Sequence, residues 1–471
     1  MIKRSGLAVA LALLTITIQA SAQSSMYLAD SGWPQVPAIL SRIKEPTFPN
    51  RDFKISDYGA VSDGQTDSTE AIRQAIAACH AAGGGRVVVP PGVFLTGAIH
   101  LKSHVNLHLV EGATLKFSPD PAKYLPAVFT RFEGTECMNY SPLIYAFEQE
   151  NIAVTGKGVL DGSASFENWW AWTKRGRDGE KGANSIRRLL DFNDRGVPVA
   201  ERVFGAGHYL RPNFIQPYRS RNILIEGVTI NNSPMWEVHP VLCANVTVRG
   251  LKIVSHGPNN DGCDPESCQD VLIENCLFDT GDDCIAINSG KNNDGRRVGV
   301  PSKNIVIRNC TMKDGHGGVV VGSGISGGVS GVYIENCKMD SPKLDRALRF
   351  KSNALRGGVI ENVFMRNVEI GRVAHSILTV DFLYETGAQG PHRPVLRNVN
   401  LENVQSASSP RVLWIAGFPG VVIEGIRFAN CTFRGIESSD SVQYAGSISF
   451  QNVVIEPVKK ARSQNAPETK P

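Results

Sequence analysis

At 471 residues, 42% hydrophobic and 20% charged, the chain has an ordinary globular composition with enough apolar material for a large core. Its net charge of +4 comes with no long basic run and no nucleic-acid-binding motif, which argues against a nucleic-acid partner.

Taken in chain order, the first element is a leader. Lys3 and Arg4 precede an apolar stretch over 7–18, and Ala20-Ser21-Ala22 supplies a small-residue cleavage site. Residues 1–22 read as an export signal, too short to span a bilayer. No later stretch reads as transmembrane, so the expected location is periplasmic or secreted, without a membrane partner. Residues 68–82 (STEAIRQAIAACHAA) predict a helix with Ile72, Ile76 and Cys79 on one face, ended by three glycines. The strands RVVVP and NLHLV follow. Between residues 116 and 220 come aromatic and charged stretches such as ENWWAWTKRGRDGEKG, which predict long loops projecting from one face.

From about residue 221 a motif recurs: RNILIEGVTI, ANVTVRGLKI, QDVLIENCLF, KNIVIRNCTM and SGVYIENCKM, at intervals of roughly 23 to 34 residues. Weaker copies follow, and ENIAVTGKGV precedes them. Short alternating β-branched runs bounded by Asn, Gly or Asp fit the coils of a parallel β-helix. The predicted fold is therefore all-β, a right-handed parallel β-helix with the 68–82 helix capping its first coil. A single such domain is expected over 23–457. Residues 458–471 lack apolar periodicity and read as a disordered tail. The repeated Asn predicts a turn residue stacked coil on coil in the left-handed conformation. Cys276, Cys310, Cys337 and Cys431 recur at one repeat position, which predicts a buried ladder rather than a disulfide framework. The close pair Cys263 and Cys268 leaves a disulfide open. No His/Cys set has metal-ligand spacing, and His100, His104 and His108 lie in the capping region; neither metal nor cofactor is expected.

The chemistry-bearing residues are far apart in sequence but close in coil register. Asp282 and Asp283 stand side by side before the apolar run 284–287, where two ionised carboxylates repel. Asp261 precedes them by about one period, so all three should lie on neighbouring coils, stacked at about 4.8 Å. His316 follows in KDGHGG. Arg349 and Lys351 have one residue between them and point the same way from a strand.

The stretches NNDGCD, GDDCIAINSG, GHGG and RFK resemble, in order, the four signatures of glycoside hydrolase family 28, the polygalacturonases and their relatives, which usually read NTDG, GDD, GHG and RIK. DYGAVSDGQTDSTEAIRQAI is similar to the cap of the wider pectate-lyase-like superfamily. NYSPLIYA, SPMWEVHP and the insert KNNDGRRVGVP are similar to bacterial exo-acting members. Asn260 departs from the usual Thr, and Asn288 stands where many relatives have Lys. The resemblance implies a general acid at Asp282, water-holding bases at Asp261 and Asp283, a His316 that tunes the acid, and a substrate-carboxylate grip by Arg349 and Lys351. The substrate it implies is pectic polysaccharide or oligogalacturonide, cut at α-1,4 bonds with inversion. Neighbouring carboxylates would raise the pKa of the acid. Inversion carries an expected carboxyl separation of about 6.5–9.5 Å.

Further substrate-binding candidates are Asn259, Trp236, His239 and Tyr384, each with a plain turn or packing role as its alternative. Lys291, Arg296 and Arg297 read as a solvated charged loop that could also reach further uronates. The long 117–220 interruption, with Trp169, Trp170 and Trp172, and the insert after Asp283 would block one end of a groove. Exo action from the non-reducing end, by a monomer, is therefore expected. Alternatives are a rhamnogalacturonan or substituted-pectin hydrolase, a polysaccharide lyase on the same fold, and a non-catalytic adhesin.

Overall fold

The alternating runs pair coil on coil. The computed structural model describes residues 32–458, and there the chain winds as a right-handed parallel β-helix. Two faces are 13-stranded parallel sheets whose strand order follows chain order. The third face starts with three strands, continues through the bridges Ile215–Val238–Cys263–Ile285, and ends in a six-stranded sheet. The expected export signal (1–22) and residues 459–471 of the expected tail lie outside the described residues. Among the described residues, no helix is long and apolar enough to cross a membrane.

The register explains the repeat. Ile223, Val246, Val271, Ile305, Val332, Val363, Val399 and Ile426 pair in one row, every one buried. Burying such a side chain contributes roughly 1.5–3 kcal/mol, so each coil pays its ordering entropy only when stacked on the next. The recurring asparagines have positive φ as predicted, but Asn222, Asn245, Asn304, Asn362 and Asn398 stand near the starts of strands and not in turns. Their amides hydrogen-bond coil to coil: Asn245 Nδ2 donates to Asn222 Oδ1 at 3.0 Å, and Asn222 Nδ2 to Asn151 Oδ1 at 3.0 Å. All ten cysteines are free and buried. The recurring cysteines are the expected apolar filler, and Cys263 and Cys268 are not bonded to each other. The Cys268 thiol is instead directed at the Pro240 and Glu266 carbonyls.

A helix spanning Val36–Arg42 (α1), not anticipated from the sequence, lies across the outside of one long sheet. With Trp33 it packs Val36 and Ile39 on Leu272, Val306, Tyr333 and Phe364, and Arg366 stacks 3.8 Å over the Trp33 ring. The expected cap is present as α2 (Thr69–Ala81), with Ile72, Ile76 and Cys79 buried. The 117–220 region is not one long loop: strands Ile144–Phe147, Glu150–Gly156 and Val159–Asp161 complete a coil within it. The excursion before that coil forms an antiparallel hairpin, Val128–Phe132 with Thr135–Asn139. The excursion after it holds α3 (Gly179–Asp194). The basic insert after Asp283 folds as α4 (Asn292–Val298).

Candidate active site

Coil register assembles the carboxylates. Cys263 pairs with Ile285, which sets Asp261 beside Asp283, and Gly262 N donates to Asp283 O at 3.0 Å. Ile285 pairs in turn with Val319, so His316 lies beside Asp282, with its own N–H donating to Asp282 O at 3.1 Å. One oxygen from each of Asp261, Asp282 and Asp283 lies within 4.8 Å of the others. That is closer than the roughly 6.5–9.5 Å expected for inversion. The carboxylates surround one small space instead of facing each other across a sugar ring.

Arg349 and Lys351 lie on the strand Arg346–Lys351 and project to the same side, as expected from their i, i+2 spacing. Lys351 Nζ donates to Asp283 Oδ2 at 2.7 Å, and an Arg349 guanidinium nitrogen is 4.0 Å from Asp283 Oδ1. Both cations face the Tyr384 ring, at 5.4 Å for Lys351 and 5.7 Å for Arg349. Lys351 lines a pocket with Asp261, Asp282, Asn288, Lys291 and Tyr384, with Trp236 and Asn259 at its edge. On the other side, Asp282 and His316 border a second, wider hollow.

The electrostatics differ from the sequence expectation. Burial, then the charges of Asp282, Asp264 and Asp283, hold the Asp261 carboxyl well above the usual carboxylate range. Burial also pushes Asp282 up, but the hydrogen bond and charge of His316, with Lys351, outweigh it and hold Asp282 below its ordinary value. Of these two it is therefore Asp261, not Asp282, whose carboxyl is raised, as is that of neighbouring Asp264. His316 Nδ1 lies 2.8 Å from Asp282 Oδ1, and that bond raises the imidazole pKa, so the His–Asp pair shares a proton. Burial works against the Lys351 charge, yet Asp283 keeps its pKa raised. The three-carboxylate cluster has ligand-like geometry, but the Lys351 ammonium already supplies its positive charge. Among the described residues one other such cluster occurs, His256, Asp279 and Asp314, where Asp314 is taken up by Ser341 and Lys343.

The two inserts interlock. Asp294 of α4 accepts from Glu136 N at 2.7 Å and pairs with Arg202 at 3.0 Å and Arg297 at 2.8 Å. Asn193 of α3 donates to Lys291 O at 3.1 Å and accepts from Asp294 N at 2.8 Å. Gly134, at the hairpin tip with φ 81°, lies so close to Lys291 that an added Cβ would sit 2.8 Å from the lysine Cβ. Hairpin and insert thus form one wall beside the carboxylates.

Several weaker candidates are reassigned. His239 does not reach the pocket: it is fully buried, donates from Nε2 to Glu266 Oε2 at 2.8 Å, and accepts at Nδ1 from Asn213 and Gln216. Trp236, packed edge-on against it at 4.7 Å, does reach. The insert cations are not a solvated loop. Lys291 is buried in the pocket wall, 3.3 Å from Glu133; Arg296 donates to the Leu355 and Arg356 carbonyls; Arg297 bonds Glu136. Sequence reasoning missed Arg211, whose buried guanidinium binds Asn259 Oδ1 at 2.7 Å and the Pro234 and Pro258 carbonyls. Burial pulls its pKa down to about 10. It lies in the irregular excursion, where no periodicity marks it. Asn260 is fully engaged, accepting from Ser255 Oγ and Gly257 N and donating to the Ser233 and Met235 carbonyls, so it shapes the turn that presents Asp261.

Comparison with known proteins agrees with this arrangement. The family model of glycosyl hydrolases family 28 matches residues 206–456, and that of "Rhamnogalacturonase A/epimerase, pectate lyase-like" matches 53–110. The crystal structure of a hyperthermoactive exopolygalacturonase from Thermotoga maritima is 44% identical, with a TM-score of 0.85 over 89% of this chain and 95% of that one. A probable polygalacturonase of Vitis vinifera is 28% identical over 80% of this chain and 73% of its own. An exo-poly-alpha-D-galacturonosidase of Dickeya chrysanthemi is 28% identical over 86% of this chain and 74% of its own. With the family model spanning more than half the sequence and all four motif residues gathered at one site, the chain belongs to glycosyl hydrolase family 28 and is a glycoside hydrolase.

Proposed function

We propose that the protein hydrolyses α-1,4 bonds of polygalacturonate from the non-reducing end and releases single galacturonate units. The observation that carries this reading is the wall formed by the hairpin and α4, which bounds the carboxylate pocket, while a wider hollow continues beyond Asp282. A groove blocked on one side admits a chain end. The similarity to the Thermotoga exopolygalacturonase and the Dickeya exo-poly-alpha-D-galacturonosidase supports the same reading. Lys291 and Lys351 inside the pocket suit a sugar that is itself an anion.

Asp282, at the boundary between pocket and hollow, is placed to hand the leaving oxygen the proton it shares with His316. Asp261 and Asp283 lie side by side as candidate holders of the attacking water, and Lys351 fixes Asp283 in place through their hydrogen bond. This favours single displacement with inversion, since a nucleophilic carboxylate would need a free face toward the sugar and Asp283 is tied to Lys351. Following product anomers by NMR during early turnover tests it: an initial α-product would mean retention.

The exo reading is tested by viscosity against reducing-end release. Many new reducing ends with little viscosity loss are expected; a steep early fall with mixed oligomers would mean an open cleft. The leader over 1–22 supports export, checked by N-terminal sequencing of protein from periplasm and medium. We also propose that the enzyme acts as a monomer, checked by light scattering.

A further inference from the structure

The excursion that carries α3 has a charge that the catalytic site does not use. From Trp172 to Arg188 it holds four more cations than carboxylates, an excess equal to that of the whole chain. Its ion pairs are those of Asp178 with Arg177 and Lys181. Lys174, Arg175 and Arg187 are exposed and have no carboxylate partner among the described residues. Such crowding of like charges is unfavourable on an empty surface and becomes favourable when a polyanion lies on it.

The placement is continuous with the chemistry. Lys174, Arg175 and Arg187 line the hollow that Asp282 and His316 border, together with the rings of Trp172 and Tyr209. Those rings meet edge-on at 5.1 Å, and Tyr209 also lines the next depression outward, where Lys181 lies 5.1 Å over it. A track of cations and aromatic faces therefore leads away from the acid along the α3 excursion, with Phe132 and Glu133 of the hairpin on its border.

We propose that this basic face of the α3 excursion is a docking track for the part of the polyuronate chain that remains outside the closed pocket. It holds successive carboxylates on Lys174, Arg175 and Arg187 and sugar faces on Trp172 and Tyr209. The inference rests on the polygalacturonate reading above. It makes the enzyme favour long chains over short ones, and because the contacts are exposed, that preference weakens with salt.

The test uses the full chain carrying Lys174→Ala, Arg175→Ala and Arg187→Ala together, assayed on polygalacturonate and digalacturonate at low and high NaCl. Three exposed charge contacts predict that KM for the polymer rises about tenfold more than KM for the dimer at low salt. The salt dependence of native polymer KM should flatten in the variant. Equal KM changes for both substrates, or an unaltered salt slope, would overturn the track. A parallel measurement separates this from the activity reading: affinity electrophoresis of Asp282→Asn protein in polygalacturonate gels, with and without the triple change. Retardation lost with the triple change supports the track even if native protein released no galacturonate. Retardation that survives it refutes the track even if native protein is an active exo-enzyme.

Discussion

Lys351 and Asp283 form a buried ion pair, Nζ to Oδ2 at 2.7 Å, between positions two coils apart. The resemblance implied a cation that grips substrate; in the structure it also holds the Asp283 carboxylate. One ammonium can do both, because it carries three donors and sits in the pocket wall.

That pair should be unequal to its parts. Lys351→Met leaves the buried Asp283 without its hydrogen-bonded cation and with only Arg349 at 4.0 Å, at a cost of up to about 3–5 kcal/mol. The double variant Lys351→Met/Asp283→Asn should recover much of that stability, since neither group is then an unpaired ion, while activity stays lost. Thermal melting of both variants checks it; equal melting temperatures would mean the pair contributes no coupling.

Asp282→Asn should lower kcat about 10²–10⁴-fold with the fold intact. The amide keeps the volume but has no acidic proton to give. Circular dichroism with initial rates checks it, and turnover above about a tenth of native would remove Asp282 from the acid role.

The pH profile should follow the His316–Asp282 pair. Asp282 raises the folded His316 pKa above its ordinary value. The interaction is fully present below the unfolded value near 6.5 and is lost as pH rises through the higher folded value. The alkaline limb of kcat/KM should therefore lie above pH 6.5, and His316→Gln should remove or move it. An unchanged alkaline limb in that variant would assign it to another group.

Asp294→Ala should open the wall. It leaves Arg202 buried without its carboxylate partner and removes the acceptor of Glu136 N. Melting temperature should fall, and the products of polygalacturonate digestion should shift from monomer toward oligomers. Chromatography of early products measures the shift; a purely monomeric product from a destabilised variant would mean that the wall does not set the exo outcome.

Native turnover should also depend on substrate charge. Methyl esterification removes the anions that Lys291 and Lys351 are placed to meet, so kcat/KM should fall as the degree of esterification rises. Equal rates on esterified and free polymer would make those lysines structural.

The repeat was legible in the chain alone because a solenoid coil is a local object. Its β-branched alternation, left-handed asparagines and buried cysteines all reflect contacts one period away. The same periodicity placed Asp261, Asp282, Asp283 and His316 together. What lies off the period was not legible. His239 reads like a ligand of sugar but is spent on Glu266, a choice made by Asn213 and Gln216 from another coil. Lys291 reads like a solvated charge until α3 and the hairpin close over it. The Asp261 carboxyl is raised because it is buried beside like charges with no ion-pair partner of its own among the described residues, and where His316 and Lys351 point is invisible in sequence. Repetition writes the coil into the sequence; the excursions, the wall and the distribution of protons depend on contacts with no fixed spacing, which only the folded chain supplies.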